Sequence, residues 1–116
     1  MMATVLPFYL AEPDKPEVAA GLAEMSRAMK ANLAAGQAWE GGLYQSVDLR
    51  PLLGRITSPT LIVAGELDFI CGPAQAQPIA DAVTGSQLVM LAGCGHIPSI
   101  EAPHVYRHAV VEFLSH

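Results

Sequence analysis

Two short segments carry the residue types from which a proton-transfer pair can be built. Gly65-Glu66-Leu67-Asp68 follows one apolar run, and Gly93-Cys94-Gly95-His96 follows another. A carboxylate that accepts from one imidazole nitrogen fixes the tautomer and stabilises the imidazolium, leaving the other nitrogen free to act as a base. Taken singly, each residue has a plainer reading. An Asp after a strand caps a helix or makes an Asx turn, and a histidine among glycines is a loop residue. The joint reading is favoured because each stands at the end of an apolar run in successive units of the same pattern.

The elements that must position the pair follow from that pattern. Thr60-Leu61-Ile62-Val63-Ala64, bounded by Pro59 and Gly65, is a short β-branched run that suits a strand buried on both faces. Ala74 to Val83 is helix-like and ends at Thr84-Gly85-Ser86. Gln87-Leu88-Val89-Met90-Leu91 is a second strand. A last helix starts near Glu101 and gathers Ala102, Tyr106, Ala109, Val110 and Phe113 on one face. The order strand, helix, strand, helix predicts a parallel pair joined by a crossover. The carboxyl ends of such strands line a site crevice, so Asp68 and His96 are expected to meet there. The flanking glycines allow the tight turns this requires.

Ahead of this unit lies a different grammar. Val18, Leu22, Met25, Met29 and Leu33 recur at helical spacing, with Glu17, Glu24, Arg27 and Lys30 off the stripe. Asp14 and Glu17 resemble a capping box, with Pro16 in the first turn. This predicts one amphipathic helix over 15–34, closed by Gly36. The Met-rich stripe reads as packing surface. Residues 37–59, punctuated by Gly41-Gly42, Pro51 and Gly54, read as a connection with a short helix, anchored by Trp39 and Tyr44.

Other chemistry is less well supported. His104 and His108 stand four apart, a spacing that can bind metal, but zinc wants a third ligand, and His116 lies at the terminus. A solvated helix face is the expectation, with no metal and no cofactor. Cys94 is read as a small buried side chain rather than a reactive thiol, and a Cys71–Cys94 disulfide is not expected. Glu101 is read as a structural acid at a helix start, where its charge suits the dipole.

Composition narrows the classes. With 116 residues, the chain is one domain or part of a larger one; at 52% hydrophobic and 15% charged, it is not a disordered chain. Lys+Arg is 6 against 11 acids, with no basic cluster, which argues against nucleic acid and against an anionic membrane surface. No apolar stretch reaches the ~18 residues of a membrane span. The apolar start lacks the Lys or Arg and the cleavage site of a signal peptide. With two cysteines, a reduced, cytoplasmic setting is expected.

Pro59 to Asp68 is similar to the acid-strand motif of the α/β-hydrolase superfamily: a proline, an apolar strand, a Gly, and an Asp three residues later. Gly93-Cys94-Gly95-His96-Ile97-Pro98-Ser99-Ile100-Glu101-Ala102-Pro103 resembles its histidine loop. The resemblance implies that Asp68 and His96 are the acid and histidine of a Ser-His-Asp triad. Asp68-Phe69-Ile70-Cys71-Gly72-Pro73 and Leu6-Pro7-Phe8-Tyr9-Leu10 resemble the proline iminopeptidase branch, whose substrates are peptides with an N-terminal proline; small esters are the other class implied. The nucleophile is missing. An elbow needs Gly-x-Ser-x-Gly, and none of Ser26, Ser46, Ser58, Ser86, Ser99 and Ser115 has a Gly two residues before or after.

The fold expected is therefore α/β: a partial α/β-hydrolase fold, with a cap-like helical remnant and connection over 1–59 and two βα units of a parallel sheet over 60–116. The family order of nucleophile, acid and histidine would place the nucleophile in a preceding portion. Two functions are open. The chain is the C-terminal part of a serine hydrolase, supplying acid and histidine to a complementing half. Alternatively it is a truncated, non-catalytic α/β module that self-associates or binds a partner. The strand over Leu61–Ala64 would expose an edge without charges to blunt it. The chain is therefore expected to pair with a complementing N-terminal half or to form a two-fold homodimer, by edge pairing or by exchange of the N-terminal helix. A stable homodimer without hydrolase activity would favour the second function.

Overall fold

The computed structural model describes residues 6–30, 32–43 and 46–116. Its centre is a parallel pair, β1 (Leu61–Gly65) and β2 (Gln87–Leu91), in the register Leu61↔Gln87 to Gly65↔Leu91. Helix α3 (Pro73–Ala82) makes the crossover and packs on both strands. Gly85, at φ 76°, turns the chain from α3 into β2. These elements fall within a residue of their expected bounds. Val83, Ala64, Leu91, Ala76 and Ala109 form the buried core around the pair.

The expected last helix is split. A single turn, α4 (Pro98–Glu101), is separated from α5 (Pro103–Leu114) by Ala102 at φ −137°, ψ 55°. The residue before a proline is pushed away from helical backbone, and Pro103 does this to Ala102. The face expected of α5 holds: Ala109 is buried, and Tyr106, Val110 and Phe113 are half-buried.

The N-terminal helix is shorter than its periodicity suggests. α1 runs Pro16–Ala28, and Met29 leaves it in extended backbone. A separate helix, α2 (Leu33–Ala38), starts at Asn32, whose side chain accepts from the Ala35 amide at 3.0 Å. Asn32 is a strong N-cap residue, and it explains why Gly36 lies inside a helix rather than closing one. The capping box is absent too. Lys15, held extended by Pro16, occupies the cap position without a side-chain bond and pairs with Glu12 instead. Of the stripe, Val18 is buried, Leu22 and Met25 are half-buried and Met29 is exposed; the Leu33 side chain lies outside the described residues. α1 docks on α4 at Gly21, where an added Cβ would come within 2.9 Å of Ile100 Cγ2.

The connection contains a wide turn over Trp39–Leu43, with Gly42 at φ 153°, and a 3-10 helix over Arg50–Arg55. Trp39 is about half exposed, and Tyr44 lies outside the described residues. Leu6–Tyr9 forms a 3-10 turn ahead of α1.

Candidate active site

The two strand ends are zipped by backbone bonds. The Glu66 amide donates to Leu91 O at 2.9 Å and the Leu67 amide to Cys94 O at 2.9 Å. The Glu66 carboxylate accepts from the Gly93 amide at 3.1 Å. The loops touch backbone to backbone. A Cβ on Gly65 would lie 2.1 Å from Gly95 O, and one on Gly72 would lie 2.0 Å from Asp68 O. Gly93, at φ 66°, starts the second loop.

This juxtaposition brings Asp68 and His96 together. His96 Nδ1 lies 2.9 Å from Asp68 Oδ2. Asp68 is 8% exposed, while the His96 side chain is 36% exposed. The other carboxylate oxygen, Oδ1, accepts from the amides of Ile70 at 2.8 Å and Cys71 at 3.1 Å. Asp68 is thus an Asx turn and an imidazole partner at once, one oxygen for each. An ionised carboxylate only accepts, so Nδ1 carries the hydrogen, and in the neutral imidazole the lone pair is on Nε2. Burial pushes the Asp68 carboxyl up, but the His96 bond and the Cys71 and Ile70 amides outweigh it. The net shift is downward, so Asp68 is ionised at neutral pH.

Tyr9 and Glu101 complete the surroundings. The role of Tyr9 was not evident from sequence, and the helix-start role expected of Glu101 is only part of what it does. The Tyr9 ring stacks on Phe69 at 5.6 Å between centroids and lies 5.5 Å from the His96 ring. Tyr9 O accepts from the His96 amide at 2.8 Å. Glu101 accepts from Ala11 at 2.7 Å, Gly95 at 3.0 Å and Ile97 at 3.0 Å. Its position four residues after Ile97, within reach of the amides that open its own helix, was the available signal.

The remaining candidates are not part of this site. Cys94 is buried, and its thiol is pushed up to about 11 by burial and then by the Glu101 and Asp68 charges, so it is a poor nucleophile. Cys71 is exposed, and both cysteines are free. His104 and His108 are exposed on α5, His108 lying 3.7 Å from Glu112. Among the described residues, no three His, Cys, Asp or Glu side chains cluster to hold a metal, and no helix is long and apolar enough to cross a membrane.

The chain that carries this pair is similar in sequence and fold to known proteins. Over 97 residues the chain is 31% identical to 3-oxoadipate enol-lactonase 2 of Acinetobacter baylyi, covering 84% of this chain and 35% of that one. Over 79 residues it is 34% identical to a pimeloyl-[acyl-carrier protein] methyl ester esterase of Nitrosospira multiformis, covering 66% and 30%. The solved enol-lactonase of Burkholderia xenovorans superposes on 98% of this chain with a TM-score of 0.79 at 28% identity, using 44% of that chain. The chain thus spans less than half the length of these proteins. The α/β hydrolase fold family matches residues 1–103, and this chain belongs to that family.

Proposed function

We propose that this chain supplies the acid and the histidine of a Ser-His-Asp acyl hydrolase, with the nucleophile contributed by a segment outside residues 1–116. The 2.9 Å Asp68–His96 pair carries this reading. Asp68 holds Nδ1–H, so Nε2 is the base that takes the proton of an attacking serine and returns it to the leaving group. Asp68 stabilises the imidazolium in between. Esters and lactones are the favoured substrates, because similar proteins include an enol-lactonase and a methyl ester esterase. A peptide with an N-terminal proline, the class implied by Asp68–Pro73, is the alternative.

β1 supports the complementation. Thr60 O accepts from Gln87 and the Glu66 amide donates to Leu91 O. In a parallel ladder the bonding residues alternate, so Leu61 and Val63 aim their amides and carbonyls away from β2. Among the described residues β1 has one strand neighbour. That free edge is where a preceding portion of the sheet would add. It equally favours the second reading, a non-catalytic module that uses the edge to pair with a copy of itself.

Co-expression with the nucleophile-bearing portion of an enol-lactonase relative separates the two. p-Nitrophenyl acetate and proline p-nitroanilide should show no turnover with the chain alone, and ester turnover with the pair. His96→Ala should abolish that turnover. Turnover indifferent to His96→Ala, or an acyl-enzyme formed on any serine of this chain, overturns the assignment.

A further inference from the structure

We propose that Glu101 is a positioning residue for His96, clasping the backbone on both sides of the histidine and tying it to the Tyr9–Ala11 segment. The functional meaning of the clasp rests on the hydrolase reading of His96; its geometry does not. Oε2 accepts from Gly95 at 3.0 Å and from Ala11 at 2.7 Å, while Oε1 accepts from Ile97 at 3.0 Å. Between them, the His96 amide donates to Tyr9 O at 2.8 Å. The three consecutive amides at the histidine are all bonded, two of them by one carboxylate.

A helix-starting acid needs only the amides of its own first turn. Ile97 belongs to that turn, as N-cap of α4. Gly95 and Ala11 lie outside it, the latter 90 residues away in sequence. The Tyr9–Ala11 segment approaches the loop without intervening side chains: a Cβ on Gly95 would come within 2.6 Å of Tyr9 O and 2.9 Å of Ala11 N. Three converging N–H donors suit a carboxylate, which offers only acceptors. An amide in its place would aim donors at donors.

The imidazole therefore has two independent anchors. Asp68 fixes the ring at Nδ1, and Glu101 fixes the chain from which the ring hangs. Asp68 alone would hold the tip of a loop whose base could shift, and displacement of a catalytic group by about 1 Å costs up to 100-fold in rate.

The test is Glu101→Gln in the 116-residue chain, followed by NMR. The amides of Ala11, Gly95 and Ile97 should shift and exchange faster, and the downfield His96 Nδ1 proton should weaken or vanish. Amides of the β1–β2 ladder should stay as in the wild type. Glu66→Ala, which loses one bond to Gly93, should leave the His96 proton in place. In the complemented enzyme, Glu101→Gln should lower kcat by about 10- to 100-fold with little change in KM. A folded Glu101→Gln chain with an unchanged Nδ1 signal overturns the proposal. So does unchanged kcat in an active complemented pair, an outcome that leaves the hydrolase reading standing. If Glu101→Gln does not fold, the wild-type chain decides. The Ala11, Gly95 and Ile97 amides must then show through-hydrogen-bond couplings to the Glu101 carboxylate carbon, and their absence overturns the clasp. A wild-type pair that is inactive while the NMR signatures hold sinks the hydrolase reading and not the clasp.

Discussion

Burial alone would raise the Asp68 carboxyl, so its lowered pKa measures how strongly His96 and two backbone amides hold the ionised form. A folded-state pKa below the unfolded value of about 3.9 stabilises the native state at every pH above that value, and the contribution is lost as pH falls through the folded pKa. Asp68→Asn should therefore cost about 1–3 kcal/mol at neutral pH. Thermal melts of the variant and the wild type should converge on acidification below about pH 4. A gap that persists undiminished into strong acid would show that packing, not the ionised carboxylate, was lost. Asp48, lowered to about 2 by Arg50, should not mask the effect, since that pair is exposed and screened. The cysteines give a second check. With Cys94 buried and its thiol up near 11, alkylation of the native chain should label Cys71 and spare Cys94. Equal labelling would mean that the histidine loop opens readily.

The contact between β1 and the histidine loop tolerates no side chain, and this gives the elements a sharp test. A Cβ on Gly65 would meet the carbonyl oxygens of Gly95 at 2.1 Å and Cys94 at 2.4 Å. Backbone atoms cannot rotate aside, so Gly65→Ala must part the strand end from the loop and separate Asp68 from His96. A loss of about 3 kcal/mol or more in urea unfolding is expected. Gly36→Ala is the control: nothing lies within 4 Å, the position is helical, and a gain of up to about 1 kcal/mol is expected. Equal effects at the two sites would mean that the strand end and the loop are not in contact. These elements also show what could be read beforehand. β1, β2 and the meeting of Asp68 with His96 follow from local pattern, because apolar runs bounded by Pro and Gly fix strands and strand ends fix the site. Lys15 and Ala102 departed from helix for a local reason as well, each preceding a proline, and Asn32 as a cap was equally available. Tyr9 and the Glu101–Ala11 bond were not. They depend on where a segment far away in sequence docks, which periodicity and spacing do not encode.

At the scale of the molecule, the surface is larger than a finished domain would have. A compact protein of 12.2 kDa exposes about 6,100 Å², whereas this chain exposes 8583 Å². Its radius of gyration is 15.9 Å, against about 13.4 Å for a compact chain of this length. The excess, about 2,500 Å² on this one chain, is at the upper end of what each partner buries in an obligate interface, about 1,000–2,500 Å² a side. Part of it is apolar and close to the site, as Leu67, Phe69 and Ile70 show, each more than a third exposed. The backbone contribution is the free edge of β1, which lacks the charges or bulges that blunt edges. Val63 isolates that edge. Its amide points away from β2, so Val63→Pro removes an edge donor without breaking the β1–β2 ladder, and proline is tolerated on edge strands. By sedimentation at micromolar concentration, the wild-type chain should be a dimer and Val63→Pro a monomer that keeps the Asp68–His96 bond by NMR. Val63→Pro should also fail to complement a nucleophile-bearing half that the wild type activates. A dimeric Val63→Pro chain would place the interface elsewhere. A monomeric wild type with one cooperative unfolding transition would mean that the chain covers its own edge, and the need for a partner would fall with it.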